Sequence, residues 1–484
     1  MALDWERRYI DALARAGEPI RPVRGIIAAY NTNIDGLKTV DGGWLSRLLA
    51  EDAQLRRRVA AKWRETPEEI DDVSDLLAGL LHYMNEGVGG ERLIFAESVF
   101  RWLSQAFGPG QYRMGGQAGI MANVLSALGV PLVVPHVAQL PRAQAELFND
   151  QERTRIPVAG PKGIIFARPL DAVREGDKQL IHWVLNFAEG TKVTFDNTAI
   201  TAPRENRFIA THDEDNAELR IAPSFLEGTR ARIGEFDGAV ISGFHLLRRT
   251  YRDGSGFETK LGNALRQIRE WRELNPKLRL HLEIGSMQSP EIEDATLRAS
   301  SLFHSLGVNE DELRSALAAT GLRRASEATG SEPSVETVYR DAVALKAQLK
   351  VERLNVHTRD FSISLLSDSY AAKAEREQEA LLVGAAVAAG RALTGRFLPP
   401  QEVLRLVRNQ AVPLGRRGVR QHQALADALE GEDRAAAASL RERGLAESNG
   451  FSVVYTPARW VERTLSTVGL GDAISSASFA MNLA

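Results

Sequence analysis

Apolar and polar positions alternate along this chain in two periods, and the switches between them outline its elements. Between charges near the start, Trp5, Tyr9 or Ile10, and Leu13 recur at helical spacing, so the stretch up to Gly17 predicts a surface helix. Val23 to Gly36 reads as a buried strand that runs into an Asn/Asp/Gly turn, NTNIDG. From Gly43 to Phe107 the helical period dominates, broken by a Gly-rich loop at His82 to Gly90. Gly115 to Gln139 passes from a glycine loop through a small-residue helix to the apolar strand Pro131 to His136, which is half of a parallel crossover unit.

Ile156 to Ala210 alternates instead, in GIIFARPL, LIHWVLNF and KVTFDNTAI, and predicts antiparallel strands of a separate small sheet. Phe236–Gly243, Leu278–Ser286, Ser301–Glu310 and Val351–Thr358 are short apolar runs spaced by helical stretches, the pattern of a doubly wound sheet. Ala371 to Asn449 is rich in Ala, Glu and Arg and predicts surface and packing helices. SVVYTPAR is a last strand or hairpin, and the polar stretch Ala325–Pro333 is expected to be a mobile loop.

Composition narrows the class. Among 484 residues, 44% are hydrophobic and 25% charged, which suits a water-soluble globular protein of two to four folding units or one large elaborated one. A formal net charge of -3 offers no basic footprint, so no nucleic-acid partner is expected. No apolar run is long enough to span a bilayer, and no signal core follows the first helix, so the expected setting is cytoplasmic and away from membranes. With no cysteine, disulfides, thiolate nucleophiles and cysteine-ligated zinc are excluded, and no HExxH supports a zinc hydrolase.

Candidate chemistry lies where strands hand over to helices. In STVGLGDAISSASFA, the amides of Gly469, Leu470 and Gly471 would head a helix, a place that attracts phosphate, while Asp472 could take the proton of an attacking hydroxyl. The plainer reading makes Asp472 an N-cap. Alternation along LRLHLEI sets His281 and Glu283 on one side, and Glu312 follows another strand in GVNEDE beside Asn309; the two glutamates could hold a hydrated Mg2+. Alone, each reads as a cap or surface acid. Asp35, with the loop Gly115, Gly116 and Gln117, could read sugar hydroxyls, against an Asx turn and a helix-entry glycine pair. Arg204 and Arg207 of PRENRF could grip a phosphate monoester or form a basic surface loop. His245, His304 and His357 read as satisfied core or edge groups.

Taken in order, NTNIDG, GGQAGIMAN, PRENRFIA, HLEIGS, GVNEDE and STVGLGD resemble the ADP-dependent glucokinase and phosphofructokinase family of the ribokinase-like superfamily. The resemblance implies an α/β fold, with a three-layer α/β/α large domain at about 1–35, 112–155 and 212–484. A smaller discontinuous α+β lid is expected at about 36–42, 86–111 and 156–211. It implies transfer of the β-phosphoryl of Mg-ADP to glucose, fructose 6-phosphate or both, with AMP released. Gly469, Leu470 and Gly471 match an anion hole and Asp472 a catalytic base; Glu283 and Glu312 match metal-associated acids, with His281 and Asn309 beside the metal and phosphate. Asn33, Asp35, Gly115, Gly116 and Gln117 fall on sugar-binding segments, and Glu91 in GGERLIF on a glucose-contacting glutamate. Arg204 and Arg207 are the sugar-phosphate candidates, and a monomer or small homo-oligomer is expected. An ATP-dependent ribokinase-like sugar or nucleoside kinase, and a catalytically silent sugar or nucleotide sensor on the same fold, are the alternatives.

Overall fold

The computed structural model describes residues 3–17, 23–65, 68–108, 111–287, 289–322 and 334–484; the expected loop Ala325–Pro333 lies outside them. A nine-stranded sheet forms the frame. Its order is Leu445–Ser448, Phe451–Pro457, Phe361–Leu366, Arg353–His357, Ser305–Val308, Arg279–Glu283, Gly238–Ile241, Ile26–Ala29 and Val133–Pro135. From Arg353–His357 to Val133–Pro135 all pairings are parallel, and the other three strands join antiparallel. Every residue of Ile26–Ala29, Gly238–Ile241, Ser305–Val308 and Arg353–His357 is buried, because helices cover both faces; the first three read as runs of apolar and small residues, while Arg353–His357 buries the polar Arg353, Asn355 and His357 as well. The terminal helix Leu470–Leu483 packs along Ala374–Thr394, touches Gln117–Ala127 and lies against the central strands.

A second sheet has the order Glu69–Ile70, Gly90–Ile94, Asn206–His212, Ile181–Phe187, Asn33–Thr39 and Gln111–Gly115. It shares a separate apolar core with the helices Gly42–Glu51, Ala53–Lys62, Val73–Glu86 and Glu97–Phe107. The molecule is therefore α/β, with a large sheet-cored unit and a smaller unit assembled from two separate stretches of chain. No described helix is long and apolar enough to cross a membrane.

Several expectations need correction. NTNIDG is not a turn: Asn33–Thr39 is a strand of the second sheet, paired on both sides. His82–Gly90 is not one loop, since Val73–Glu86 stays helical to Glu86, ends on Gly87 at φ 65°, and Gly90 already opens a strand. Of the surface and packing helices expected over Ala371–Asn449, Ala374–Thr394 is the packing kind, with Ala380 to Ala392 buried throughout. Phe361–Leu366 was not anticipated as a strand. The unit boundaries also shift: residues 43–85, left in neither unit, belong to the smaller core, and the hairpin Ile156–Gly160 with Gly163–Ala167 packs on Pro223–Ala231 of the large unit instead of in the lid.

The chain leaves the large sheet after Ala29, enters the small one at Asn33, and returns from Gly115 into the helix Gln117–Ala127. Asn33 and Gly115 are register partners, so these two crossings meet at one point, and the chain crosses between the units twice more, before Ile181 and after His212.

Candidate active site

The C-terminal ends of the parallel strands converge there, as open α/β sheets bring ligand-facing groups to that edge. Gly469 takes a left-handed conformation at φ 70° and is the N-cap of Leu470–Leu483, with no side chain bonded to the exposed amides. The N-cap reading of Asp472 thus fails: it stands inside the first turn, buried, and its carboxylate bonds the side chain of Gln117. Burial first, then the nearby charges of Glu283 and Asp35, push Asp472 up to about 7, against the pull of Gln117 and Arg391. Uncapped amides with the positive end of a helix dipole, next to a carboxylate poised near neutrality, can bind an anion and accept a proton.

Glu283 ends its strand with both oxygens near imidazoles, Oε2 3.3 Å from His281 Nε2 and Oε1 3.5 Å from His357 Nε2. His281 is in turn held through Nδ1 by Ser305 Oγ at 2.8 Å. Asn309 and Glu312 form a capping box: Asn309 Oδ1 accepts from the amides of Asp311 and Glu312, and Glu312 Oε2 accepts from the Asn309 amide at 2.8 Å. The cap reading is therefore correct and leaves the site reading open, because a carboxylate has lone pairs beyond the one the cap uses. Burial raises both glutamates, Glu312 well above its ordinary range, and Glu283 and Asp472 raise Glu312 further. This crowding of buried carboxylates suits a divalent cation. Among the described residues no three His, Asp or Glu side chains are grouped to hold a metal, so water would have to complete any shell around Glu283 and Glu312.

On the other side of Asp472, Asn33 Nδ2 donates to Asp35 Oδ1 at 3.0 Å, and an added Cβ on Gly115 would fall on that carboxylate. Gly116 adopts φ 72° and passes so close to Asn31 that a Cβ would lie 2.6 Å from its carbonyl oxygen. Gln117 accepts from the Gly243 amide at 3.1 Å while reaching Asp472, which ties the predicted sugar loop to the predicted base. Glu91 accepts from Thr211 Oγ1 at 2.5 Å and borders a cavity of about 480 Å³. Arg207 is half-buried and feels the charges of Asp35 and Glu91, whereas Arg204 turns away to donate to the Gly87 carbonyl at 2.6 Å. A second cavity, about 440 Å³, lies against Gly471 between Asn309, His357, Ala388 and Trp460, with Glu205 of the small unit at its rim.

Two groups, His182 and Arg391, escaped the sequence reading, and two histidines, His357 and His245, need correction. His182 bonds Asp213 at 2.9 Å; burial opposes its charge, but Asp213, Glu91 and Asp35 outweigh that and lift it to about 9. His357 is not a satisfied core group: its Nδ1 is buried without a partner and its ring covers Gly471, and His245 Nδ1 is likewise unpartnered, while His304 accepts from the Leu280 amide as expected. Arg391 carries a charge within an otherwise uncharged run, Leu381–Ala392, which was the available signal. His182 had none, because it meets Asp213 only in three dimensions.

Known proteins of similar length resemble this chain along nearly all of it. An ADP-specific phosphofructokinase of Methanosarcina acetivorans is 29% identical over 99% of this chain and 97% of its own. An ADP-dependent glucose/glucosamine kinase of Pyrococcus furiosus is 30% identical over 98% of each. A solved ADP-dependent kinase in complex with fructose-6-phosphate and ADPbetaS is similar with a TM-score of 0.83 and 28% identity, over 99% of this chain and 98% of that one. The model of the ADP-specific phosphofructokinase/glucokinase conserved region matches residues 24–481, and the chain belongs to that family.

Proposed function

We propose that this protein transfers the β-phosphoryl group of ADP to a hexose, glucose or fructose 6-phosphate, and releases AMP, with Asp472 as the base. The observation that carries the reading is Asp472 itself: a buried carboxylate raised to about 7, at an uncapped helix N-terminus, bonded to Gln117 of the sugar loop. A base near the working pH combines a useful ionised fraction with enough driving force to take a hydroxyl proton.

The residues then divide the work. Asn33, Asp35, Gly115, Gly116 and Gln117 hold the acceptor sugar with one hydroxyl against Asp472. The amides of Gly469, Leu470 and Gly471 face the charge that grows on the phosphoryl oxygens and need no reorganisation to do so. The cavity beside Gly471, floored by small residues of Ala374–Thr394 and flanked by Trp460, takes the nucleotide. Glu283 and Glu312 would hold Mg2+ through water, positioned by His281 and the Asn309 cap; such an ion supplies charge neutralisation at the phosphoryl oxygens. Glu91, fixed by Thr211, favours a free hydroxymethyl group, and Arg207 favours a phosphate there. Arg204 is committed to the Gly87 carbonyl, and its part is to shape the loop.

The test is a kinetic matrix of ADP and ATP against glucose and fructose 6-phosphate, with AMP as the detected product. Turnover confined to ADP supports the reading, and a higher kcat/KM with ATP would replace it with an ATP-dependent kinase. Absence of AMP with either sugar would leave a binding protein.

A further inference from the structure

Arg391 and Arg353 are both buried arginines of the large unit, and they differ in how their donors are used. Arg353, fully buried, gives Nε to Glu377, Nη1 to Ser305 and Nη2 to Ser478 at 2.8, 2.9 and 2.9 Å. Arg391, 4% exposed, gives Nη2 to the Val468 carbonyl at 3.1 Å and leaves Nε and Nη1 buried without an acceptor. Phe397 lies under its guanidinium at 4.2 Å. Buried donors are nearly always satisfied, so two unspent ones on a single guanidinium beside the proposed site call for an explanation. Val468 is the residue before the left-handed Gly469, and its carbonyl direction sets the direction of the next amide.

We propose that Arg391 is a positioning residue of phosphoryl transfer: it anchors the glycine turn through Val468 and supplies the positive charge that faces Asp472. The inference rests on Asp472 being the base. Around that carboxylate, Glu283 comes from the central strand Arg279–Glu283, Asp35 from the small sheet and Glu312 from the capping box, all acidic. Gln117 bonds it from the sugar loop, His357 covers the adjoining Gly471, and Arg391 opposes the acids from Ala374–Thr394, with Arg113 nearby. Burial draws Arg391 down to about 10, which leaves it charged at neutral pH. An opposite charge within about 4–6 Å of a carboxylate lowers its pKa by about 1–3 units.

The experiment is the pH profile of kcat/KM with ADP and the better hexose, for the native protein, Arg391→Met and Arg391→Lys. With Arg391→Met the acidic limb should move up by about one pH unit and kcat should fall more than the hexose KM rises. Arg391→Lys, which keeps charge but not the forked hydrogen bonding, should restore the limb while kcat stays low. A limb that does not move in Arg391→Met, or moves equally in both variants, overturns the inference. If Arg391→Met does not fold, Arg391→Lys decides alone, because a displaced limb there excludes the charge as the cause. Asp472→Asn separates the two readings: retained turnover removes the base assignment itself, whereas lost turnover with an unmoved limb in Arg391→Met removes only the role of Arg391.

Discussion

Asp472→Asn should make the protein more stable and nearly inactive at once. In the unfolded chain this carboxyl titrates near 3.8, and in the folded protein at about 7. Between those values the native state holds a proton that the unfolded state has lost, so stability falls as pH rises through that window and is level above it. Three pH units, each about 1.4 kcal/mol, set an upper bound of about 4 kcal/mol for the cost of ionising Asp472 at pH 8. Asparagine keeps the shape and a partner for Gln117 but never ionises, so it escapes that cost. For 484 residues the unfolding entropy is about 1 kcal/mol per degree, and the gain corresponds to a Tm rise of up to about 4 °C. The assay is thermal unfolding of both proteins without ligands from pH 5 to 8, paired with AMP release. The variant should gain on the native protein by up to about 1.4 kcal/mol per pH unit until pH 7, while kcat drops about 10²- to 10⁴-fold. A variant that is no more stable at pH 8, or a stability gap that does not narrow toward acid, would refute the burial argument even if activity were lost.

Three further outcomes follow from the same geometry. Gly115→Ala should raise the hexose KM about tenfold or more, since its methyl would fall on Asp35 and lie 2.5 Å from Asn33 Nδ2; calorimetric ADP affinity should stay unchanged, and a loss in both would point to a broader distortion. Glu312→Gln should weaken Mn2+ binding, read by electron paramagnetic resonance, about 10- to 100-fold, with an unaltered helix cap; unchanged affinity would remove Glu312 from the metal assignment. Glu91→Ala should lower kcat/KM for glucose more than for fructose 6-phosphate, and equal losses would take it out of the specificity argument.

The parallel strands were legible because helices cover them on both faces. Ile26–Ala29 and Gly238–Ile241 are buried at every position and carry no polar side chain to interrupt the run, whereas Arg353–His357 is equally buried with Arg353, Asn355 and His357 alternating through it. Asn33–Thr39 was not, because Asn-Ile-Asp-Gly is turn chemistry by local preference and becomes a strand only through partners on both flanks. The site showed the same division. Acids at element ends, Asp472, Glu283 and Glu312, stood out as candidates only in combination and through the family resemblance, since alone each reads as a cap or a surface acid. Whether Asn309 and Glu312 cap a helix or serve a site could not be read from position, since the same atoms suit both. His182 acquires its meaning from Asp213 across the small sheet, and Arg391 from a turn far along the chain; neither partnership leaves a local pattern.

The meeting of Asn33 with Gly115 has a mechanical consequence. Two of the four strands that carry the chain between the units, Asn33–Thr39 and Gln111–Gly115, begin and end on groups proposed to hold the sugar, so one link between the units is also a wall of the proposed acceptor pocket. Any swing of the small unit about this pair must turn the Asp35 carboxylate relative to Asp472, which the large unit holds through Gln117. Acceptor affinity and inter-unit angle are then expected to be coupled, and a substitution that loosens this link should alter which sugars are held even if it touches none of them.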